Sequence, residues 1–175
     1  MRFVSAKIAL IIFLIAASAP SAVAGPSIRF HDDGLDVFTF HGRVALVPPT
    51  LGGPVDPIAD GFGVELSNDF GVIYHASLQP GDLEDAGELR YRFKDEGASY
   101  GAGSRDGLYH VFNRFRRYPD GWYYTVKIRA YGDFSFATHP KMTLILYEVG
   151  GTAGLTADWV RTNAGWRLPL NRFPD

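Results

Sequence analysis

Apolar and polar residues alternate with a period of two along much of the chain. Between positions 36 and 46, the apolar residues lie at even positions from Phe38 onward, and the polar ones lie at odd positions from Thr39 to Arg43. Successive side chains of a strand point to opposite faces of a sheet, so this pattern predicts a strand with one buried face. The same alternation recurs over 89–94 and 122–130.

Shorter apolar segments follow one another, separated by residues that favour turns. Further strands are predicted over 62–67, 72–78, 108–115, 142–149, 159–161 and 166–168. Turns are predicted at 68–71, 118–121 and 163–165, because Asn, Pro and Gly favour turn conformations. The best short helical segments are 133–138 and 156–160, each about one turn long. Eight or nine short strands at this spacing predict an all-β fold, an antiparallel β-sandwich.

The first 24 residues have the layout of a secretory signal peptide. Arg2 and Lys7 are followed by an apolar run over 8–17, and Ala22-Val-Ala24 fits the small-x-small rule for signal peptidase. A helix needs about 20 apolar residues to span a bilayer, so this run is too short. An uncleaved N-terminal anchor is the alternative. We expect export by a Sec-type route, cleavage after Ala24, and one β-sandwich domain over 25–175, periplasmic or extracellular, with no transmembrane span.

Composition restricts the chemistry of the protein. The chain is 46% hydrophobic and has no cysteine. Disulfides, cysteine-ligated metals, a cysteine nucleophile and a lipid-anchored N-terminal cysteine are therefore excluded. An exported protein without disulfides depends on its apolar core alone, which a chain of about 150 residues can supply.

Charge is unevenly distributed along the chain. Loss of Arg2 and Lys7 with the leader leaves 15 Lys and Arg against 19 Asp and Glu, a net charge of −4. Residues 25–88 hold two basic and 11 acidic side chains, whereas 89–129 hold nine basic and four acidic ones. Pairing of acidic with basic strands across a sheet would explain this distribution. A basic surface for an anionic partner is the alternative.

Two predicted strands concentrate cations on their polar sides. Arg90, Arg92 and Lys94 share the polar side of one strand. Lys127 and Arg129 share that of another. If these strands are neighbours, like charges face one another, which is destabilising. We therefore expect acidic residues between the cations and no free anion-binding site. The expected acidic partners are Glu65, Asp82, Glu84 and Asp85.

Tyr123 and Tyr131 lie on the same polar side as Lys127 and Arg129. Aromatic rings on an exposed sheet face stack sugar rings in many carbohydrate-binding modules. Cross-strand and cation–π contacts with arginine are the alternative for these tyrosines. The candidate binding residues are Tyr123, Tyr131, Arg90, Arg92, Lys127 and Arg129.

Residues that commonly carry catalysis or bind metals form no familiar pattern. Asp32, Asp33 and Asp36 either bind calcium or form an acidic surface before the first strand, and they lack EF-hand spacing. The five histidines show no zinc-type pairing, and the loop 101–107 matches neither a phosphate loop nor a nucleophile elbow. No acid lies on an otherwise apolar strand face, although Glu65 comes nearest. We expect no catalytic residue, no metal and no cofactor.

Several segments together resemble a known group of proteins. They are Gly61-Phe-Gly-Val-Glu-Leu-Ser-Asn-Asp-Phe-Gly-Val-Ile-Tyr-His-Ala-Ser-Leu-Gln-Pro-Gly81, Thr125-Val-Lys-Ile-Arg-Ala-Tyr-Gly-Asp133 and Gly165-Trp-Arg-Leu168. The group is an uncharacterised β-domain of exported bacterial proteins, mostly from deltaproteobacterial-like lineages. The resemblance covers about 36–168 and rests on strand and turn motifs. It implies a β-domain and export, and it implies no catalytic activity.

Taken together, these patterns predict an exported, non-enzymatic binding or structural domain. A carbohydrate- or envelope-polymer-binding module is the first alternative. A hydrolase is the second, and it would need a deep pocket with His75 or His110 beside a carboxylate. The expected partner is an envelope polysaccharide or another exported protein, and not nucleic acid.

Overall fold

The computed structural model describes residues 11–13, 25–32, 34–46, 56–118, 121–148 and 151–169. Most of the predicted signal peptide, Asp33, and Pro119 and Asp120 of a predicted turn lie outside these ranges. The described strands are β1 (Ile11–Phe13), β2 (Ser27–Arg29), β3 (Asp36–Leu46), β4 (Phe62–Asn68), β5 (Gly71–Leu78), β6 (Glu84–Asp85), β7 (Arg90–Lys94), β8 (Leu108–Tyr118), β9 (Gly121–Gly132), β10 (Lys141–Glu148), β11 (Gly151–Asp158), β12 (Val160–Thr162) and β13 (Gly165–Arg167). A four-residue helix α1 (Pro57–Asp60) precedes β4, and a 3₁₀ helix (Glu96–Tyr100) follows β7.

The strands form two sheets. The smaller sheet has the order β1-β11-β10-β4-β5, and the larger has the order β12-β13-β2-β3-β9-β8-β7-β6. The pairs are antiparallel apart from β1 with β11, which run parallel. The predicted all-β, sandwich-like fold is confirmed. None of the described helices has the length and apolar character needed to cross a membrane.

One apolar core lies between the sheets. Phe38 and Phe40 of β3 face inward with Val126 and Ile128 of β9, as their alternation predicts. The smaller sheet contributes side chains such as Leu144 of β10 to the same cluster. Phe38 lies at the centre: its ring centroid is 6.5 Å from that of Tyr74 and 6.1 Å from that of Phe134. Aromatic packing therefore connects β3, β5 and the loop after β9.

The structure differs from several local predictions. Leu89, expected on an inward strand face, lies before β7 in a turn with φ 56° and is exposed. The predicted helix over 156–160 is wrong, because residues up to Asp158 belong to β11 and pair with β10. The segment 133–138 contains a turn and no helix. The register shift between Leu66 and Ser67 leaves Ile73 as an extra residue in β5, so both Ile73 and Tyr74 are buried.

An ion pair with two hydrogen bonds joins two loops at one end of the sandwich. Arg105 donates to Asp82 from Nε at 2.6 Å and from Nη2 at 2.7 Å. The backbone N–H of Gln79 also donates to this carboxylate, at 2.7 Å. The hydrogen bonds from Arg105 hold the pKa of Asp82 below its ordinary value. Asp82 therefore stabilises the folded state in its ionised form.

We expect Asp82→Asn to lower the midpoint of thermal unfolding at neutral pH by about 3–6 °C. The depressed folded pKa means that this stabilisation is present above the unfolded pKa of about 3.9 and is lost as pH falls through the folded pKa. The difference between variant and unchanged protein should therefore shrink in acid. Thermal unfolding followed by circular dichroism over a pH series measures it, with the exposed Asp158→Asn as control. A difference that persists unchanged at about pH 2 would contradict this account.

Candidate functional site

The outward side of the larger sheet brings together cations from four neighbouring strands. We call this surface the basic face; its cations are Arg43, Arg90, Arg92, Lys94, Arg114, Arg116, Lys127 and Arg129. The strand order β3-β9-β8-β7 places these residues side by side. Across the sheet, Arg90 lies opposite Arg114, and Arg129 lies opposite His110, which is itself opposite Lys94. Arg90 and Arg114 are therefore like charges in direct cross-strand positions, an arrangement that is unfavourable without a counter-charge.

Acidic residues pair with the cations at the edge of the basic face. Arg90 contacts Glu88 at 3.3 Å, Arg92 contacts Glu84 at 3.2 Å, and Lys94 contacts Glu96 at 2.6 Å. These pairs are solvent-exposed and contribute little to stability.

The expected acidic partners are found only in part. Glu84 is correctly predicted as a partner of the β7 cations. Asp82 pairs with Arg105 instead. Glu65 was expected near the cations and is not, because β4 belongs to the smaller sheet. Across the described ranges, the pairing of basic-face cations with acids is thus confined to β7, next to the edge strand β6.

The cations of β8 and β9 differ from those of β7. Within the described part of the chain, no carboxylate lies within 4.0 Å of the side-chain nitrogens of these residues. They are Arg114, Arg116, Lys127 and Arg129, which we call the central cations. Arg129 and Lys127, with Lys94, add to burial in holding the pKa of His110 below its ordinary value. The pKa of His41 is lowered by burial and then by Lys127. Burial is the largest cause of both shifts, and the charges of the neighbouring cations add to it.

Each of the two candidate tyrosines packs against a neighbouring side chain. The guanidinium carbon of Arg43 lies 4.1 Å from the centroid of the Tyr123 ring, the cation–π contact weighed as an alternative. Tyr131 packs edge-to-face against Tyr109, with centroids 5.4 Å apart. Both rings are only partly exposed. They line the basic face, but neither projects as a free stacking platform.

The acidic residues and histidines considered as metal ligands or catalytic groups lie in different surroundings. Among the described residues, no group of three or more His, Asp or Glu side chains could hold a metal ion. Asp36 accepts hydrogen bonds from the backbone N–H of His31 at 3.0 Å and of Phe134 at 3.1 Å. It therefore connects the start of β3 to the loop after β9. His110 has cations around it. His75 lies directly opposite Glu65 in the pairing of β4 with β5, although no hydrogen bond or ion pair joins the two side chains among the described residues. Asp32 is exposed on the surface.

Arg114 and Arg116 are the binding candidates that the sequence did not single out. They alternate with buried Asn113 and Phe115, which is a usable signal. Phe112 on the same outward side interrupts the polar pattern and hides it. Only the pairing of β8 with β9 places these arginines beside Thr125 and Tyr123 and so extends the row of cations.

The resemblance to exported bacterial β-domains stays a prediction. A scan against protein-family models, a search of curated proteins and a search of solved structures each found no match.

Proposed function

We propose that this protein is an exported, non-enzymatic domain that binds an acidic polysaccharide of the cell envelope through the basic face. The central cations carry the proposal, because they share one face of two adjacent strands and have no carboxylate partner among the described residues. Holding like charges together costs free energy, and bound anions would recover it. Arginine suits this role, since its guanidinium pairs with carboxylate, sulfate or phosphate through two parallel hydrogen bonds.

The spacing of the cations suits a linear polymer. Outward residues of one strand are about 6.8 Å apart, and facing residues of adjacent strands are about 5 Å apart. Rows run across the sheet from β7 to β3, as in Arg90, Arg114, Thr125 and Arg43. A sheet face of this kind presents a repeating set of positive groups. A polymer with one acidic group on each sugar could contact several of them at once.

The negative net charge of the protein makes polyanion binding a specific test of the basic face. Without the leader, the chain carries −4, so a polyanion would be repelled if charge were spread evenly. Binding to a polyanion would therefore depend on the separation of charge onto one face. The predicted signal peptide supports a partner outside the cytoplasm, which favours an envelope polysaccharide over nucleic acid.

We expect protein purified from expression of the full chain to bind polygalacturonate and heparin at low ionic strength, and dextran not at all. Affinity should fall steeply as salt rises, because counterions are released and surface charges are screened. Titration of His110 by NMR gives a second readout: bound anions should raise its pKa, since neighbouring cations contribute to lowering it.

Two outcomes would overturn the proposed function. One is the absence of polygalacturonate and heparin binding at low salt. The other is binding to phosphatidylglycerol vesicles without binding to either polysaccharide, which would assign the basic face to a lipid surface.

A further inference from the structure

A groove of different chemistry lies on the outward side of the smaller sheet. It has a volume of about 340 Å³ and forms where β4 lies between β5 and β10. Across these three strands, Gly63 of β4 faces Tyr147 of β10 on one side and Ser77 of β5 on the other. Because Gly63 has no side chain, the ring of Tyr147 packs over it and occupies part of the gap that a side chain would fill.

Tyr147 forms one wall of the groove, and its position is fixed. A Cβ atom at Gly63 would lie 3.3 Å from Cβ and Cδ2 of Tyr147, so the tyrosine packs against the glycine backbone. The hydroxyl of Tyr147 donates to Oε2 of Glu65 at 3.2 Å. Burial, with the charge of Glu65, raises the pKa of Tyr147, so the phenol keeps its proton at neutral pH. The residue is 37% exposed, so part of its ring is open to a ligand.

The rim of the groove is polar and holds no Lys or Arg among the described lining residues. Asp60, His75, Ser77 and Gln79 contribute a carboxylate, an imidazole, a hydroxyl and an amide. These groups can both donate and accept hydrogen bonds. The nearby carboxylates of Asp60 and Glu65 disfavour an anion. The groove therefore selects a ligand opposite in character to the ligand of the basic face.

We propose that this groove binds a neutral pyranose unit of a glycan. The C–H groups of the sugar pack on the exposed part of the Tyr147 ring, and its hydroxyls bond to the polar rim. The volume is near the lower end of small-molecule sites, about 300 Å³, which suits one or two sugar rings. This site is independent of the proposed function of the basic face, because it lies on the other sheet and takes an uncharged ligand.

The test uses four neutral oligosaccharides: chitotriose, cellotriose, maltotriose and mannotriose. Each is titrated into ¹⁵N-labelled protein while backbone amide shifts are recorded. We expect at least one sugar to shift the amides of Gly63, His75 and Ser77. Tyr147→Ala should lower the affinity for that sugar about tenfold or more. Tyr147→Phe keeps the ring and should retain most of the binding. Tyr100→Ala is the matched control, because Tyr100 is 86% exposed and far from the groove in the chain.

Any of three results would overturn the proposal. None of the four sugars shifts the groove amides, or Tyr147→Ala binds as tightly as the unchanged protein, or the shifts fall on the basic face instead. If Tyr147→Ala fails to fold, the position of the amide shifts in the unchanged protein still decides the test. Failure of polygalacturonate binding would leave these outcomes unchanged, so the two proposals stand or fall separately.

Discussion

Reversing two charges at the centre of the basic face, with Lys127→Glu and Arg129→Glu together, is expected to weaken binding of polygalacturonate at least about 100-fold. The two side chains are exposed neighbours on the outward side of β9, and they lie between β3 and β8. The change replaces attraction by repulsion where the polymer makes its closest approach. Stability should be unchanged or slightly higher, because the new carboxylates lie near Arg114 and His110. Isothermal titration at low salt measures the affinity.

A matched control separates the basic face from total charge. Lys141→Glu makes the same change in charge as Lys127→Glu, but it lies on the exposed start of β10 in the other sheet. We expect Lys127→Glu to cost about tenfold in affinity and Lys141→Glu to have little effect. Equal losses for the two variants would show that only net charge matters, and the basic face would then not be the binding surface.

Phe38→Ala is expected to reduce the free energy of unfolding by about 3–5 kcal/mol. Phe38 is fully buried, and its ring packs against Tyr74 and Phe134. Truncation removes the buried ring and leaves a cavity between two sheets that rigid strand pairing prevents from closing. Denaturant unfolding followed by tryptophan fluorescence gives the value. Phe70→Ala, at a phenylalanine that is 79% exposed, should change it by less than about 0.5 kcal/mol.

A loss below about 1.5 kcal/mol in Phe38→Ala would contradict the central position of this residue. Phe38→Leu gives a graded check, because it keeps much of the apolar volume. Its loss should fall between those of the alanine variant and the unchanged protein.

Alternation along β3 and β9 predicted both the strands and their faces, because each has one fully buried side. Phe38 and Phe40 of β3, and the even positions from Tyr124 to Ala130 of β9, are inward, as the pattern indicates. The same physics explains the failures. In β11, the alternating apolar residues Ala153, Leu155 and Ala157 are mostly small and give only a weak pattern, and pairing with β10 makes the segment a strand. Tertiary pairing overrides weak local preference at such positions.

The alternation of apolar and polar residues does not predict which strands become neighbours. Glu65 was correctly placed on a polar strand face, but that face belongs to the smaller sheet. Gly63 and Tyr147 are far apart in the chain, and only the pairing of β4 with β10 makes them partners. A glycine inside a predicted strand is the one local signal for such a gap. Both candidate sites therefore depend on long-range pairing.

The outward sides of the two sheets point away from each other. A molecule held on an acidic polymer by its basic face would turn the Gly63 groove towards the surroundings. Each site could then be occupied without blocking the other. Acting together, they would make the domain a molecular adaptor that links a charged layer of the envelope to an uncharged glycan. Linkage would raise the strength of attachment through effective concentration, even if each single contact were weak.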